Sequence, residues 1–357
     1  MTHKKRVMCA MSGGVDSSCA AALLLKEGFS VIGATFRLFA QENETEVPMS
    51  IQDAHKVAHI LGIPHIVIDM IPEFAEFVIK PFISEYVQGR TPNPCINCNK
   101  YIKFGKALDI SKSMGCDYIA TGHYARIGYD SNINRYLVKK SLNSKDQSYC
   151  FYTLSQEQLS KIILPLVGFE KSEVRNMARS FGLPVFDKPE SQDICFIKNN
   201  YVDFIENYQN VDNLIGNFID EDGKFLGKHK GLHRYTIGQR RGLGLSFGSR
   251  AYIKCIDFAT KNIIISYKTP PVNNFLIAKN VNFVLYDKFP GCNMDGVDVL
   301  ARTRYNCTEY PAKIVPERED KIRVKFNDSI KFIAPGQSVV FYDKLDKETL
   351  VGGGIIM

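Results

Sequence analysis

Through the first third of the chain, short apolar runs alternate with stretches whose apolar residues recur at helical spacing. Residues 6–11, 30–36, 65–68 and 118–120 are expected as buried strands, and residues 17–26, 53–61, 74–86 and 101–114 as helices. Such alternation predicts an α/β fold with a parallel sheet covered by helices on both faces. Ligands in such folds bind beyond the carboxyl ends of the strands, where the loop after Met11, Phe36 and Thr121-Gly122-His123 all fall. A further helix is expected from Ser172 to a stop at Gly182-Leu183-Pro184. The Pro-containing stretch 187–191 then reads as a loop that delivers Cys195.

The pattern changes near residue 200. Residues 201–270 are rich in Gly, Lys and Arg around 227–248 and predict a small central domain with little core. Short β-type runs at 263–266, 281–285, 297–305, 322–326 and 339–342, separated by Gly, Pro, Asp and Asn, argue for a small barrel. The expected division is 1–200, 201–270 and 271–357. Within 297–305, alternation puts Leu300, Arg302 and Arg304 on one face and Val299, Ala301, Thr303 and Tyr305 on the other. Paired arginines there either track a phosphate backbone or form a solvated face.

At 357 residues, 45% hydrophobic and 23% charged, the chain can bury a core, and no low-complexity block competes with that reading. The basic start, Thr2 to Arg6, precedes an apolar run too short for a signal peptide, and no stretch of about 18 apolar residues is present to span a bilayer. A cytoplasmic protein without a membrane partner is expected. The net charge of +7 is compatible with a polyanionic partner without requiring one. In a reducing compartment the ten cysteines point to catalysis or metal rather than disulfide staples. Cys9, Cys19, Cys116, Cys255 and Cys307 lie in apolar or strand-like stretches and read as small core residues.

The most informative segment is Ser12-Gly13-Gly14-Val15-Asp16-Ser17-Ser18, between the first strand and first helix. The glycines let the backbone approach a ligand, and the helix N-terminus offers unpaired N–H groups to an anion. The lysine that follows the second glycine of a P-loop is missing. A loop that grips phosphate with backbone and hydroxyl groups, with Asp16 as a candidate Mg2+ ligand, suits the pyrophosphate end of ATP. Cys95 and Cys98 follow Thr91-Pro92-Asn93-Pro94, which reads as an irregular loop open to substrate, and Cys195 lies in a second loop. Three cysteines so spaced fit thiol chemistry, three ligands of a [4Fe–4S] cluster, or a structural zinc that lacks its second ligand pair.

The Ser12–Ser18 motif resembles the signature of the PP-loop ATP pyrophosphatases. Five further stretches, at residues 89–99, 120–124, 145–149, 191–197 and 236–244, together with the terminal 352–356, resemble the bacterial tRNA-specific 2-thiouridylase family over nearly the whole chain. The resemblance implies ATP at Ala10, Met11, Ser12, Gly13, Gly14, Val15, Asp16, Ser17, Phe36 and Gly122. It implies a target base at Asn93, Pro94 and Cys95, and tRNA at His123, Lys145, Asp146, Gln147, Arg304, Tyr305 and Gln337. It further implies adenylation of a uridine C2 oxygen at wobble position 34, then sulfur transfer from a persulfide on Cys195. The same resemblance implies Cys98 as the nucleophile, which would form a disulfide with Cys195 or liberate sulfide. A persulfide-donating sulfur carrier or cysteine desulfurase would supply the sulfur. Many relatives carry Asp where this chain has Cys95, which puts a general acid/base role there in doubt. The rival readings are a PP-loop amidating synthetase, which would need neither Cys98 nor Cys195, and a non-catalytic RNA-binding protein.

Overall fold

The computed structural model describes residues 4–40, 47–189, 194–197, 199–245, 248, 250–267, 270–289, 296–318 and 320–357. Ser191, Gln192 and Asp193 of the expected Cys195 motif lie outside them. The chain divides into two compact units: residues 1–78, 95–192 and 348–350 form one, and residues 79–94, 193–347 and 351–357 form the other.

The first unit is built on strands β1 (Arg6–Ala10), β2 (Ser30–Arg37), β3 (His65–Asp69) and β4 (Tyr118–Ala120), a hairpin of β5 (Arg126–Asp130) and β6 (Arg135–Lys139), and β7 (Ile162–Ile163). A five-stranded sheet has the order β3-β2-β1-β4-β7, every pair parallel. β1 lies at its centre, so the loop leaving β1 opens between neighbours on both sides. Helix α1 (Val15–Lys26) is buried through Ser17, Ser18, Cys19, Ala20, Ala21, Ala22, Leu23 and Leu24. Its small residues suit a helix packed on most of its faces. It contacts the helix Lys171–Ser180, where the Cys19 thiol donates to Val174 O at 3.2 Å. Helix α2 (Met49–Leu61) buries Ala54, Val57 and Ala58 in the same core.

The helix expected over 74–86 is broken into Ile71–Phe74, a wider π-helical turn at Ala75–Ile79, and Lys80–Val87. Pro81 has no N–H to donate to the preceding turn, which accounts for the break.

In the second unit β8 (Gly216–Asp220), β9 (Phe225–His229), β10 (Ala251–Asp257) and β11 (Asn262–Tyr267) form a sheet of order β10-β11-β8-β9. It has its own core of Phe218, Leu232, Tyr235, Leu243, Ile253, Ile263 and Ile265, more than the expected small domain with little core. The run 263–266, assigned to the barrel on its apolar pattern, is instead β11 of this sheet. Apolar alternation marks a strand without naming its partner. Cys255 is a second correction: it is exposed, because an irregular register between Ile253 and Cys255 disrupts the inward alternation of β10.

Strands β12 (Val272–Phe283), β13 (Val297–Arg302), β14 (Tyr310–Pro316), β15 (Ile322–Lys331), β16 (Ser338–Asp343) and β17 (Leu350–Ile356) close a six-stranded barrel. Val299, Ala301, Ile314, Val324, Val339 and Phe341 fill it. The helix Lys80–Val87 packs within this unit through Phe82 on Phe196 and Tyr86 on Tyr201, with ring centroids 5.4 and 4.5 Å apart.

Candidate active site

The turn after β1 is fixed by two close approaches that exclude a side chain. Gly13 has φ 71°, and a Cβ there would lie 2.2 Å from Ser50 O at the start of α2. Gly122, just past β4, comes so near that its Cβ would lie 2.7 Å from Asp16 C and Ser17 N. Hydroxyls order the rest of the turn. Ser12 N donates to Ser17 Oγ at 3.1 Å, the Ser12 and Ser17 hydroxyls share a 3.2 Å hydrogen bond, and Ser18 Oγ donates to Gly14 O at 2.8 Å. Met11 N donates to Ala34 O at 2.8 Å, tying the turn to β2, whose end carries Phe36. Ala10 to Ser17, Phe36 and Gly122 therefore all stand at the carboxyl edge of the sheet, with the first turn of α1 presenting its N–H groups there.

Three groups that sequence reasoning missed surround this turn. Lys171 Nζ donates to Asp16 Oδ1 at 2.5 Å and to Asp16 Oδ2 at 2.6 Å. Tyr124 Oη donates to Asp16 Oδ1 at 2.6 Å. Lys188 Nζ donates to Gly13 O at 3.0 Å and to Asp53 Oδ2 at 2.8 Å. One signal was available: Lys171 opens its helix, where the macrodipole disfavours a cation. The helix tolerates it because Glu170 and Glu173 form a capping box there and Asp16 takes the charge.

The expected open loop at Cys95 and Cys98 is helical instead. Pro94–Asn97 is a single turn, and Cys98 begins a π-helical segment, Cys98–Lys106, that runs into the helix Ala107–Ser113. Proline is well suited to the first position of a helix, so Pro94 starts one rather than preventing it. Cys95 is exposed and Cys98 buried. Cys150, which the sequence did not single out, is buried and close enough to feel the thiols of Cys95 and Cys98; burial pushes its own thiol far above the usual range.

On the same helix as Cys98, Lys103 Nζ lies 3.5 Å from His123 Nε2, while His123 Nδ1 is 2.7 Å from Thr121 Oγ1. Burial, then the Lys103 ammonium, holds His123 well below the ordinary histidine pKa. The imidazole is therefore neutral, and it packs against Phe104 and Phe151. With Nε2 accepting from Lys103, Nδ1–H donates to Thr121.

Asp146 and Gln147 are engaged within their own unit. Asp146 Oδ1 accepts from Ser141 N and Ser148 N. Gln147 Oε1 accepts from Tyr124 N at 2.9 Å, and Gln147 N donates to Tyr124 O at 2.8 Å. Lys145 N donates to Asn143 Oδ1 in the preceding turn.

The remaining candidates belong to the second unit. Cys195 is exposed, in a turn closed by Ile197 N donating to Ile194 O. Gln337 Nε2 donates to Thr91 O at 3.0 Å and Thr91 N to Pro335 O at 2.8 Å, which ties the segment holding Asn93 and Pro94 to the barrel. Arg304 Nη2 donates to Phe332 O at 2.8 Å, and Tyr305 follows it in the turn after β13. Arg302 does not extend a bare basic face: it pairs with Glu309 at 3.4 Å and lies over the Tyr342 ring.

For a metal, the donor sets fall short. Among the described residues no group of three or more His, Cys, Asp or Glu side chains is placed to hold an ion. Neither Cys95 and Cys98 with the buried Cys150 nor the surroundings of Asp16 form such a group, and both oxygens of Asp16 are held by Lys171. No step is therefore drawn through a cluster, or through a metal on Asp16.

Three family profiles tile the chain: tRNA methyl transferase HUP domain at residues 5–199, tRNA methyl transferase PRC-barrel domain at 202–267, and aminomethyltransferase beta-barrel domain at 273–356. They match a parallel-sheet domain, a central domain and a closed six-stranded barrel in turn. The chain is 47% identical to the tRNA-specific 2-thiouridylase MnmA of Caldicellulosiruptor saccharolyticus, over 99% of this chain and 98% of that one. It is 45% identical to the protein of that name from Acetivibrio thermocellus, over 99% of both chains. The Clostridioides difficile protein of that name is 43% identical, over 100% of this chain and 99% of its own. This full-length similarity shows that the chain belongs to the tRNA-specific 2-thiouridylase family, the tRNA-uridine 2-sulfurtransferases.

Proposed function

We propose that the protein uses ATP to replace the C2 oxygen of the wobble uridine, position 34 of tRNA, with sulfur. The observation that carries the ATP half is the turn at Ser12–Ser18, where Gly13 and Gly122 leave no room for side chains and the N–H groups of α1 face the open sheet edge. In that half the uridine C2 oxygen attacks the α-phosphorus, the bond to the bridging oxygen breaks, and pyrophosphate leaves with the bonding pair. The C2 oxygen then departs as part of AMP.

In the sulfur half, Cys195 carries the outer sulfur as a persulfide delivered by a sulfur carrier or cysteine desulfurase. Either the outer sulfur attacks C2, AMP leaves, and Cys98 attacks the Cys195 sulfur to break its bond to the transferred sulfur, or Cys98 attacks first and frees sulfide that displaces AMP from C2; both routes leave a Cys98–Cys195 disulfide. Exposure of Cys195 supports loading from a protein donor. Asn93, Pro94 and Cys95 would meet the base. His123, Lys145, Asp146, Gln147, Arg304, Tyr305 and Gln337 would serve tRNA, Asp146 and Gln147 by holding the shape of their loop. Boundaries near residues 200 and 270, and a cytoplasmic location, complete this reading.

The test is thiolation of unmodified tRNA by purified protein with ATP and a persulfide donor, with the modified nucleoside identified and mapped. Sulfur at position 34 that requires ATP supports the reading. Amidation of a small acid by a Cys195→Ser variant at full rate would replace it with the synthetase alternative.

A further inference from the structure

The Ser12–Ser18 turn has no lysine of its own, yet two ammonium groups from far along the chain converge on it. Their surroundings differ. Lys171 spans both oxygens of Asp16 and its side chain is only 14% exposed. Lys188 keeps 35% of its side chain exposed and touches the turn itself, through Gly13 O. Resting on the reading of this turn as the ATP site, we infer that Lys188 is its phosphate-binding lysine, gripping the pyrophosphate portion of ATP, and that Lys171 positions Asp16.

Three observations carry this. Gly13 is where the backbone turns with positive φ, and the Lys188 ammonium sits on its carbonyl, within the turn itself. An ammonium has three donors, and among the described residues Gly13 O and Asp53 Oδ2 take two of those on Lys188. Asp53 stands on α2, four residues or fewer from Ser50, whose carbonyl packs under Gly13; the same helix thus shapes the turn and holds the lysine beside it. When the α-phosphorus bond to the bridging oxygen breaks, charge accumulates on pyrophosphate, and a cation at that end stabilises the departing group.

The test is equilibrium binding of ATP, inorganic pyrophosphate and AMP to the full-length protein and to Lys188→Met, Lys188→Arg and Asp53→Asn, with magnesium present. Loss of a charge-assisted phosphate contact should weaken ATP and pyrophosphate about tenfold or more in Lys188→Met while AMP changes less than about twofold. Lys188→Arg should recover most of the affinity, and Asp53→Asn, which loosens Lys188 but keeps its charge, should lose less than Lys188→Met and with the same bias toward ATP and pyrophosphate over AMP. Failure of Lys188→Arg to recover ATP and pyrophosphate affinity, with AMP weakened alike, would reduce Lys188 to an anchor and overturn the assignment. So would an unchanged pyrophosphate affinity, or an AMP loss as large as that of ATP. Failure of the unaltered protein to bind ATP would instead overturn the nucleotide site itself.

Discussion

The hydroxyl of Tyr124 donates to Asp16 Oδ1 at 2.6 Å, while the backbone of Tyr124 is bracketed by Gln147 on both its N–H and its C=O. One residue thus joins the loop proposed for tRNA to the carboxylate of the Ser12–Ser18 turn. Tyr124→Phe removes the hydroxyl and leaves Lys171 on Asp16. We expect tRNA affinity within about twofold of normal and ATP-dependent turnover about tenfold lower, from single-turnover rates at saturating tRNA; a single hydrogen bond to a charged group is worth about 1.5–3 kcal/mol. Unchanged turnover would make the contact merely structural.

Asp16→Ala goes further, because it also releases Lys171. Adenylation, followed as pyrophosphate release, should be abolished, with tRNA binding by filter retention largely intact. An equal loss of both would remove Asp16 from the nucleotide end of the site.

Cys98→Ser and Cys195→Ser should each abolish thiolation while leaving ATP affinity unchanged, since a hydroxyl neither carries a persulfide nor attacks one at neutral pH. Cys95→Ser should retain thiolation at a reduced rate. Sulfur incorporation by Cys195→Ser would move the persulfide elsewhere.

Replacing Arg304 by Ala should weaken tRNA binding and lower the slope of log affinity against log salt by about 0.7–0.9, the contribution of a single phosphate contact. An unchanged slope would confine Arg304 to its bond with Phe332 O.

Histidines give the stability a pH signature. Burial lowers the pKa of His65, His123, His229 and His233 in the fold, so the unfolded chain binds more protons below its own histidine pKa of about 6.5. The stability of the neutral forms is therefore present above about pH 6.5 and declines as pH falls through and below it. Thermal melts should show a lower Tm at about pH 5.5 than at about pH 7.5, with a smaller difference in His123→Gln. A flat profile would contradict neutral burial of these rings.

What the sequence made legible follows from how local each cause is. The first four strands and the Ser12–Ser18 turn rest on runs of neighbouring residues, and they stand where expected. Lys171 and Lys188 act 155 and 175 positions away from Asp16 and Gly13, and no local pattern encodes such a pairing. The helix at Cys95 escapes a local reading because Pro92 and Pro94 resemble breakers, whereas Pro94 occupies the position at which a helix accepts proline. Partnering of β11 depends on its register with β8, which lies in a separate stretch of chain.

The interleaving of the two units has a consequence for modularity. Residues 79–94 fold with the segments beyond residue 193, so Phe82 and Tyr86 find their aromatic partners, Phe196 and Tyr201, outside the sheet-bearing part of the chain. An excised N-terminal fragment ending before those partners would keep its five-stranded sheet and still present an orphaned aromatic helix to water. For this reason the sheet-bearing portion is not a detachable cassette, and grafting or truncation experiments on it have to carry Phe196 and Tyr201 along.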